Sequence, residues 1–328
     1  MKKTRLCDLL GIEYPVIQAA MPWISNPELA AAVSEAGGMG VVTPTATMAP
    51  DGNPVQNLRA VIQRVRNLTA HPFGTGLYLG HPEIEELVRV IIDEGARVAI
   101  TYGGSPALFT SRLKDAEIRV LHVVATVRHA RSAEAQGVDA VITEGVESGG
   151  VQGWDELPTI VLTPQVRDAV EVPVVAGGGV ADGRGLLAVL ALGADGAYVG
   201  TRFAATRECA AHQRYKEAIV SAVDTGTVVV ARTHRPMRVL KGECAQRLRN
   251  SSLGSDPHHL TAAEWEGALS TRNIRAGALE GRLNEGLAWC GASAGLVSDI
   301  VGAAEVMKAL VKGADEALHQ LTSGWQRE

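Results

Sequence analysis

A strand-then-helix alternation repeats eight times through residues 15–203, and it narrows the fold more than any other feature of the chain. Short β-branched or apolar runs at 15–19, 39–43, 73–77, 97–101, 118–123, 138–143, 172–177 and 194–200 read as strands. Between them lie stretches of helical period at 26–36, 54–68, 82–94, 105–115, 126–136, 164–169 and 183–192. They close on stops such as EAGG, DEGA, AQGV and ALGAD, where Gly takes the left-handed cap. Eight strand–helix units are what a TIM (β/α)8 barrel requires. A doubly wound open sheet needs fewer and leaves two edges unpaired. The expected fold class is therefore α/β, a TIM barrel.

The rhythm breaks after Arg202. Residues 208–222 have helical character and 227–230 are β-rich. Residues 231–280 are polar and Arg-rich, with helices expected at 243–249 and 261–270. Residues 205–285 thus read as a small, mostly helical lid or substrate domain inserted after the last strand. Residues 1–204 and 286–328 would form the barrel, with one or two amphipathic helices over 294–321. Segments 51–57 (DGNPVQN) and 250–258 (NSSLGSDPH) are loops by composition.

The 328 residues suit one barrel with an addition, and 36 glycines with few aromatics suit tight βα turns. The net charge is −5 and the basic residues are scattered, which excludes a nucleic-acid footprint. No apolar run reaches signal-peptide or membrane-span length, so a cytoplasmic protein is expected. Cys7, Cys209, Cys244 and Cys290 lack metal-ligand spacing and read as reduced thiols.

In a TIM barrel the active site lies at the C-terminal strand ends, and the loops after the last two strands often hold phosphate. Here the seventh strand runs into Gly177, Gly178 and Gly179, with Asp182, Gly183, Arg184 and Gly185 at a helix start. The eighth ends in Gly200, Thr201 and Arg202. Glycines let backbone N–H groups approach an anion, and a helix start adds a favourable dipole. A tight βα turn is the bland alternative, but two such turns on successive strands favour a phosphate site. After the sixth strand, residues 144–153 (EGVESGGVQG) form a loop that can lie flat against a planar ligand. Glu144 and Glu147 are acid/base candidates there, although such carboxylates more often cap helices or pair with arginines. Gln18, Ala19, Ala20 and Met21 after the first strand would let a ring system pass close.

These segments carry a resemblance. QAAM, EAGG, PFGTG, EGVESGG, VAGGGVADGRGLLAVLALGADGAYVGTRF and the late SAG together resemble the nitronate monooxygenase (2-nitropropane dioxygenase) family. That family includes FMN-dependent NADH:quinone reductases and flavin-type enoyl-thioester reductases. The resemblance implies FMN on a TIM barrel with a helical lid. It places the cofactor against Ala20, Met21, Thr43, Gly149, Gly150, Gly178, Gly179, Gly200 and Thr201. Ser293, Ala294 and Gly295 would return to the ring edge.

Three positions depart from the family pattern. Val151 stands where the family has a His that serves as base or proton donor. Gly76 stands where an Asn reaches the flavin region, and Val123 where the quinone-reductase branch has a Lys. Each change removes a polar group while the glycines remain. Tyr78 shares the strand parity of Gly76, and Tyr102 ends the fourth strand. Either phenol offers a proton donor, although a rim Tyr wetted by solvent is the commoner case. His122 faces away from the side of Val123 and reads as structural.

The expected activity is FMN-dependent oxidation of a nitronate or similar carbanionic small molecule. The alternative is an NAD(P)H-dependent enoyl or quinone reductase, since hydride chemistry belongs mainly to the flavin. A non-redox binder of flavin or another phosphate ligand is the third reading. The expected partner is a small-molecule substrate, with a homodimer left open.

Overall fold

The structure is a computed structural model that describes residues 3–252, 265–267 and 269–324. Eight parallel strands form its centre. They are β1 (Val16–Gln18), β2 (Gly40–Val42), β3 (Phe73–Tyr78), β4 (Val98–Tyr102), β5 (Arg119–Val124), β6 (Ala140–Glu144), β8 (Val174–Gly177) and β9 (Gly196–Val199). A two-residue strand, β7 (Gly150–Val151), lies between β6 and β8 in the chain but outside the barrel. The barrel runs β1-β9-β8-β6-β5-β4-β3-β2, and a parallel bridge from Ile17 to Met39 closes it. The expected TIM barrel is what the chain forms.

Period-two alternation builds the interior. Ile17, Val41, Ile100, Leu121, Ile142 and Val175 point inward and are fully buried. The opposite faces carry Leu77, Ala99, Val120, Val141 and Val174 to the outer helices. A short helix that the sequence pattern did not announce, α1 (Arg5–Leu10), seals the N-terminal end. Its Leu6, Cys7 and Leu10 join the interior cluster. Every functional group must therefore work at the other end.

The surrounding helices follow the sequence periods. They are α2 (Pro27–Glu35), α3 (Pro54–Leu68), α4 (Ile84–Asp93), α5 (Thr110–Asp115), α6 (Val127–Ala135), α7 (Thr159–Arg167), α8 (Gly183–Ala191) and α9 (Thr201–Ala204). Asn53 and Thr126 cap α3 and α6 by accepting the backbone N–H groups of Gln56 and His129. After the barrel come α10 (Gln213–Val220), β10 (Thr227–Val230), β11 (Met237–Leu240), α11 (Glu243–Ser252), α12 (Thr271–Ala278) and α13 (Ala303–Gly324). β10 and β11 form a hairpin, and β11 pairs antiparallel with β7. The inserted segment therefore contains sheet as well as helix. Much of the helix expected at 261–270 and of the loop at 250–258 lies outside the described residues. Asn250 to Ser252 still belong to α11.

The C-terminal helix α13 packs along α8 and α2. At Gly183, the first residue of α8, an added Cβ would overlap the backbone of Gly313 and Ala314. Among the described residues no helix is long and apolar enough to cross a membrane. All four cysteines are free and buried.

Candidate active site

The loops at the C-terminal end of the barrel enclose a cavity of about 750 Å³. That lies in the range of roughly 300–1,000 Å³ typical of small-molecule sites. Its wall includes Ala20, Met21, Thr43, Tyr78, Tyr102 and Val123. Gly149, Val151, Gly178, Gly179, Gly200, Thr201 and Ser293 also line it. Thirteen of the seventeen site positions named from sequence thus meet in one place. Gly76, Gly150, Ala294 and Gly295 do not line it. A Cβ at Gly76 would overlap that of Ala20, and one at Gly150 would lie 2.7 Å from the Trp289 ring. Ala294 is wholly buried and Gly295 packs on the backbone of Asp224. Gly76 and Gly150 thus let the lining residues Ala20 and Trp289 pack close.

Gly178 and Gly179 have φ of 109° and 80°, a conformation closed to most side chains. Among the described residues, no partner takes the backbone N–H groups of Gly178, Gly179, Gly200 or Thr201. The Thr201 hydroxyl accepts the Gly291 N–H at 2.9 Å, which holds the returning segment 289–293 against this corner. The start of α8 takes no part. Asp182 caps it by accepting the N–H groups of Arg184 and Gly185, and the Arg184 guanidinium folds back onto the same carboxylate. The sequence placed that helix start beside the anion. Its own cap satisfies it instead.

The two loop carboxylates differ sharply. Glu147 accepts the Thr159 N–H at 2.9 Å and the Thr159 hydroxyl at 2.8 Å, so it ties its loop to the start of α7. Glu144 ends β6 and lines the cavity, and burial pushes its carboxyl up to about 7. Tyr102 and Tyr78 stack at the rim with centroids 6.1 Å apart, and Tyr78 is 41% exposed. Burial raises the Tyr102 phenol, which therefore stays protonated. Val151 pairs with Met237 of β11 and packs, like Trp289 and Val228, against the buried cluster around Met237 and Val239. An aliphatic residue suits that short strand.

Gln18 does not reach the cavity. Its amide donates to Ser25 and accepts the Val41 N–H, which joins β1 to β2. His122 has the outward parity of β5, with Nδ1 2.8 Å from the Thr101 hydroxyl, and still borders the cavity. Burial and the nearby His129 lower it to about 4. Between pH 6.5 and about 4 the unfolded chain binds a proton that the native imidazole refuses, so stability falls with pH across that window. A His122→Gln variant should lose less stability there, by at most about 3 kcal/mol, in thermal denaturation at stepped pH.

Sequence reasoning missed Tyr198, Trp289 and Arg235, which also line the cavity. Tyr198 shares the parity of Gly196 and Gly200 along β9, so alternation carried a signal for it. Trp289 and Arg235 arrive through long-range contacts that leave no local pattern. Among the described residues, three buried polar atoms on lining residues, Thr43 Oγ1, Gln152 Oε1 and Trp289 Nε1, have no protein partner.

The nitronate monooxygenase family model matches residues 3–313. FabK from Thermotoga maritima superimposes with a TM-score of 0.90 at 37% identity, covering 98% of this chain and 99% of that one. The chain is 32% identical to the (3aS,4S,5R,7aS)-5-hydroxy-7a-methyl-1-oxo-octahydro-1H-indene-4-carboxyl-CoA dehydrogenase of Mycobacterium tuberculosis, over 95% of this chain and 96% of the relative. It is 30% identical to the nitronate monooxygenase of Paraburkholderia phytofirmans, over 97% of each. A barrel with a glycine-lined corner at its mouth and a match along nearly its whole length make this chain a member of the nitronate monooxygenase family.

Proposed function

We propose that the protein is an FMN-dependent oxidoreductase that moves a hydride to or from an acyl thioester. The cavity fits such a cofactor. The free amides of Gly178, Gly179, Gly200 and Thr201 suit its phosphate, and the unpartnered Thr43 hydroxyl suits a polar edge of its ring. Bound there, the flavin supplies two-electron chemistry. The protein's own part is to exclude water, orient the substrate and manage protons. Met21, Val123, Val151 and the backbone of Gly149 make the middle of the wall apolar.

One observation carries the choice of substrate class. Val151 lines the cavity at the position where the resemblance implies an imidazole, and the glycine corner beside it is intact. Abstracting a proton from a nitroalkane by the usual route loses its base. The hydride transfer itself needs no imidazole, because the flavin would carry it. Relatives named as a carboxyl-CoA dehydrogenase and as FabK support the thioester reading. Oxidation of a preformed nitronate, which needs no base, is the second reading, supported by the relative named nitronate monooxygenase.

Anaerobic addition of NAD(P)H to the flavin-loaded protein separates them. Prompt bleaching, with colour returning on an enoyl thioester, supports the first reading. An inert flavin that still turns over a nitronate with oxygen supports the second. Val151→His should raise nitroalkane turnover by about 100-fold or more, the scale of a positioned base. No gain would mean that the loop has diverged beyond one residue.

A further inference from the structure

Glu144 is the carboxylate that the site leaves unspent. It lies on the face of β6 that sends Ala140 and Ile142 into the barrel interior, and it opens onto the cavity. It is in register with Gly177 of β8, and Gly177 with Tyr198 of β9. Gly177 has no side chain, and Tyr198 packs over it: an added Cβ would lie 3.5 Å from the Tyr198 ring. The Tyr198 hydroxyl accepts the Ala20 N–H at 2.7 Å, which draws that phenol toward β1.

The groups facing Glu144 leave it as the acid. Tyr102 of β4 and Tyr198 lie near enough to feel its charge, and burial keeps both protonated. Glu147 is committed to Thr159. Arg235, the lining guanidinium, is engaged with the Leu269 carbonyl. His122 and His81 also border the cavity, but burial holds both imidazoles below their usual value, Thr101 lies on the His122 Nδ1, and the His81 Nδ1 accepts the Glu83 N–H. The Ser148 hydroxyl is the polar side chain that favours the ionised carboxyl. Burial outweighs it, so the carboxyl titrates at about 7 and serves in either form near neutrality.

We propose that Glu144 is the catalytic residue that exchanges a proton with the substrate's α-carbon, taking over the task lost at Val151. This rests on the thioester reading. In reduction, the hydride that a bound reduced flavin would supply forms the C–H bond at the β-carbon of an unsaturated thioester. The π pair moves onto the thioester oxygen as an enolate. As the carbonyl re-forms, protonated Glu144 gives its proton to the α-carbon, and the carboxylate left behind recovers one from water. A flavin held at the glycine corner would supply the two electrons of that hydride, with NAD(P)H as their source.

The test uses flavin-loaded wild type, Glu144→Gln and Glu144→Asp, with NAD(P)H and crotonyl-CoA as probe. The Gln variant should keep the flavin spectrum and lose about 100-fold or more of its turnover. It should also lose the break near pH 7 that wild type and the Asp variant show. Thermal denaturation without flavin gives a readout free of turnover. The folded carboxyl lies above its ordinary 4.5, so its stabilising effect is full below pH 4.5 and is lost as pH rises through about 7. The Gln variant should therefore melt above wild type at pH 8 and match it at pH 4.5. Wild-type rate and pH profile in the Gln variant, or equal melting at pH 8, would overturn the proposal. A protein that takes up no FMN overturns the oxidoreductase reading itself, and this proposal with it.

Discussion

Gly200→Leu should leave the barrel folded and abolish flavin uptake. At Gly200 φ is −102° and ψ −76°, so no left-handed geometry is demanded of the new residue. An added Cβ would lie 3.6 Å from the Ala19 methyl and 3.9 Å from the Met21 sulfur, which is ordinary contact. The rest of a leucine side chain has only the cavity to enter. It would then fill the corner where the free amides of Gly179 and Thr201 converge. Affinity for FMN should fall at least about 100-fold, because an anion cannot displace a side chain bonded to the chain that binds it. Flavin titration reads the loss, and circular dichroism with melting checks that the fold stands. Gly178 would be the poorer site for this test. Its φ of 109° and the Thr159 hydroxyl 2.6 Å from an added Cβ would mix strain with blocking. Undiminished uptake by Gly200→Leu would place the phosphate elsewhere.

Gly183→Val should damage the packing of α8 on α13 at a position that does not line the cavity. Its added carbons would meet the main chain of Gly313 and Ala314, which cannot rotate away as a side chain does. Either α13 lifts off α8 or α8 shifts, at about 3 kcal/mol, the upper end for overpacking. For a chain of this size that lowers the melting temperature by roughly 6–12 °C, reading 2–4 °C per kcal/mol. Gly313→Ala is the matched control. Its Cβ would sit 3.3 Å from the Gly183 Cα, and alanine gains helix propensity, so little net change is expected. Equal melting of all three proteins would show that the two helices are not in backbone contact.

The barrel was legible because buried parallel strands concentrate their signal locally. Each strand read from the sequence matches an observed strand to within two or three residues, from β1 at Val16 to β9 at Gly196. The glycine corner was legible for a related reason: two βα turns with unusual backbone needs stand one strand apart. The pairing of β7 with β11 was not. It joins residues 150–151 to 237–238, and nothing in the local pattern of either run names its partner. The different fates of Glu144 and Glu147 were equally hidden. They stand three positions apart and both border the cavity, yet one is held by Thr159 and the other is left open to it. Only the placement of α7 decides which is which. The contribution of α1 was missed because six residues carry too little period to be seen.

The pairing of β11 with β7 limits how molecules come and go. Arg238 adds to it by donating to the Val146 carbonyl at 2.8 Å. A swing of the hairpin as a rigid flap would tear main-chain bonds from the loop that carries Gly149. Entry and exit therefore fall to the opposite rim, where Gly103 to Pro106 follow β4 without strand partners. A cross-link that freezes the hairpin should leave ligand exchange rates unchanged, whereas stiffening the run after Tyr102 should slow them.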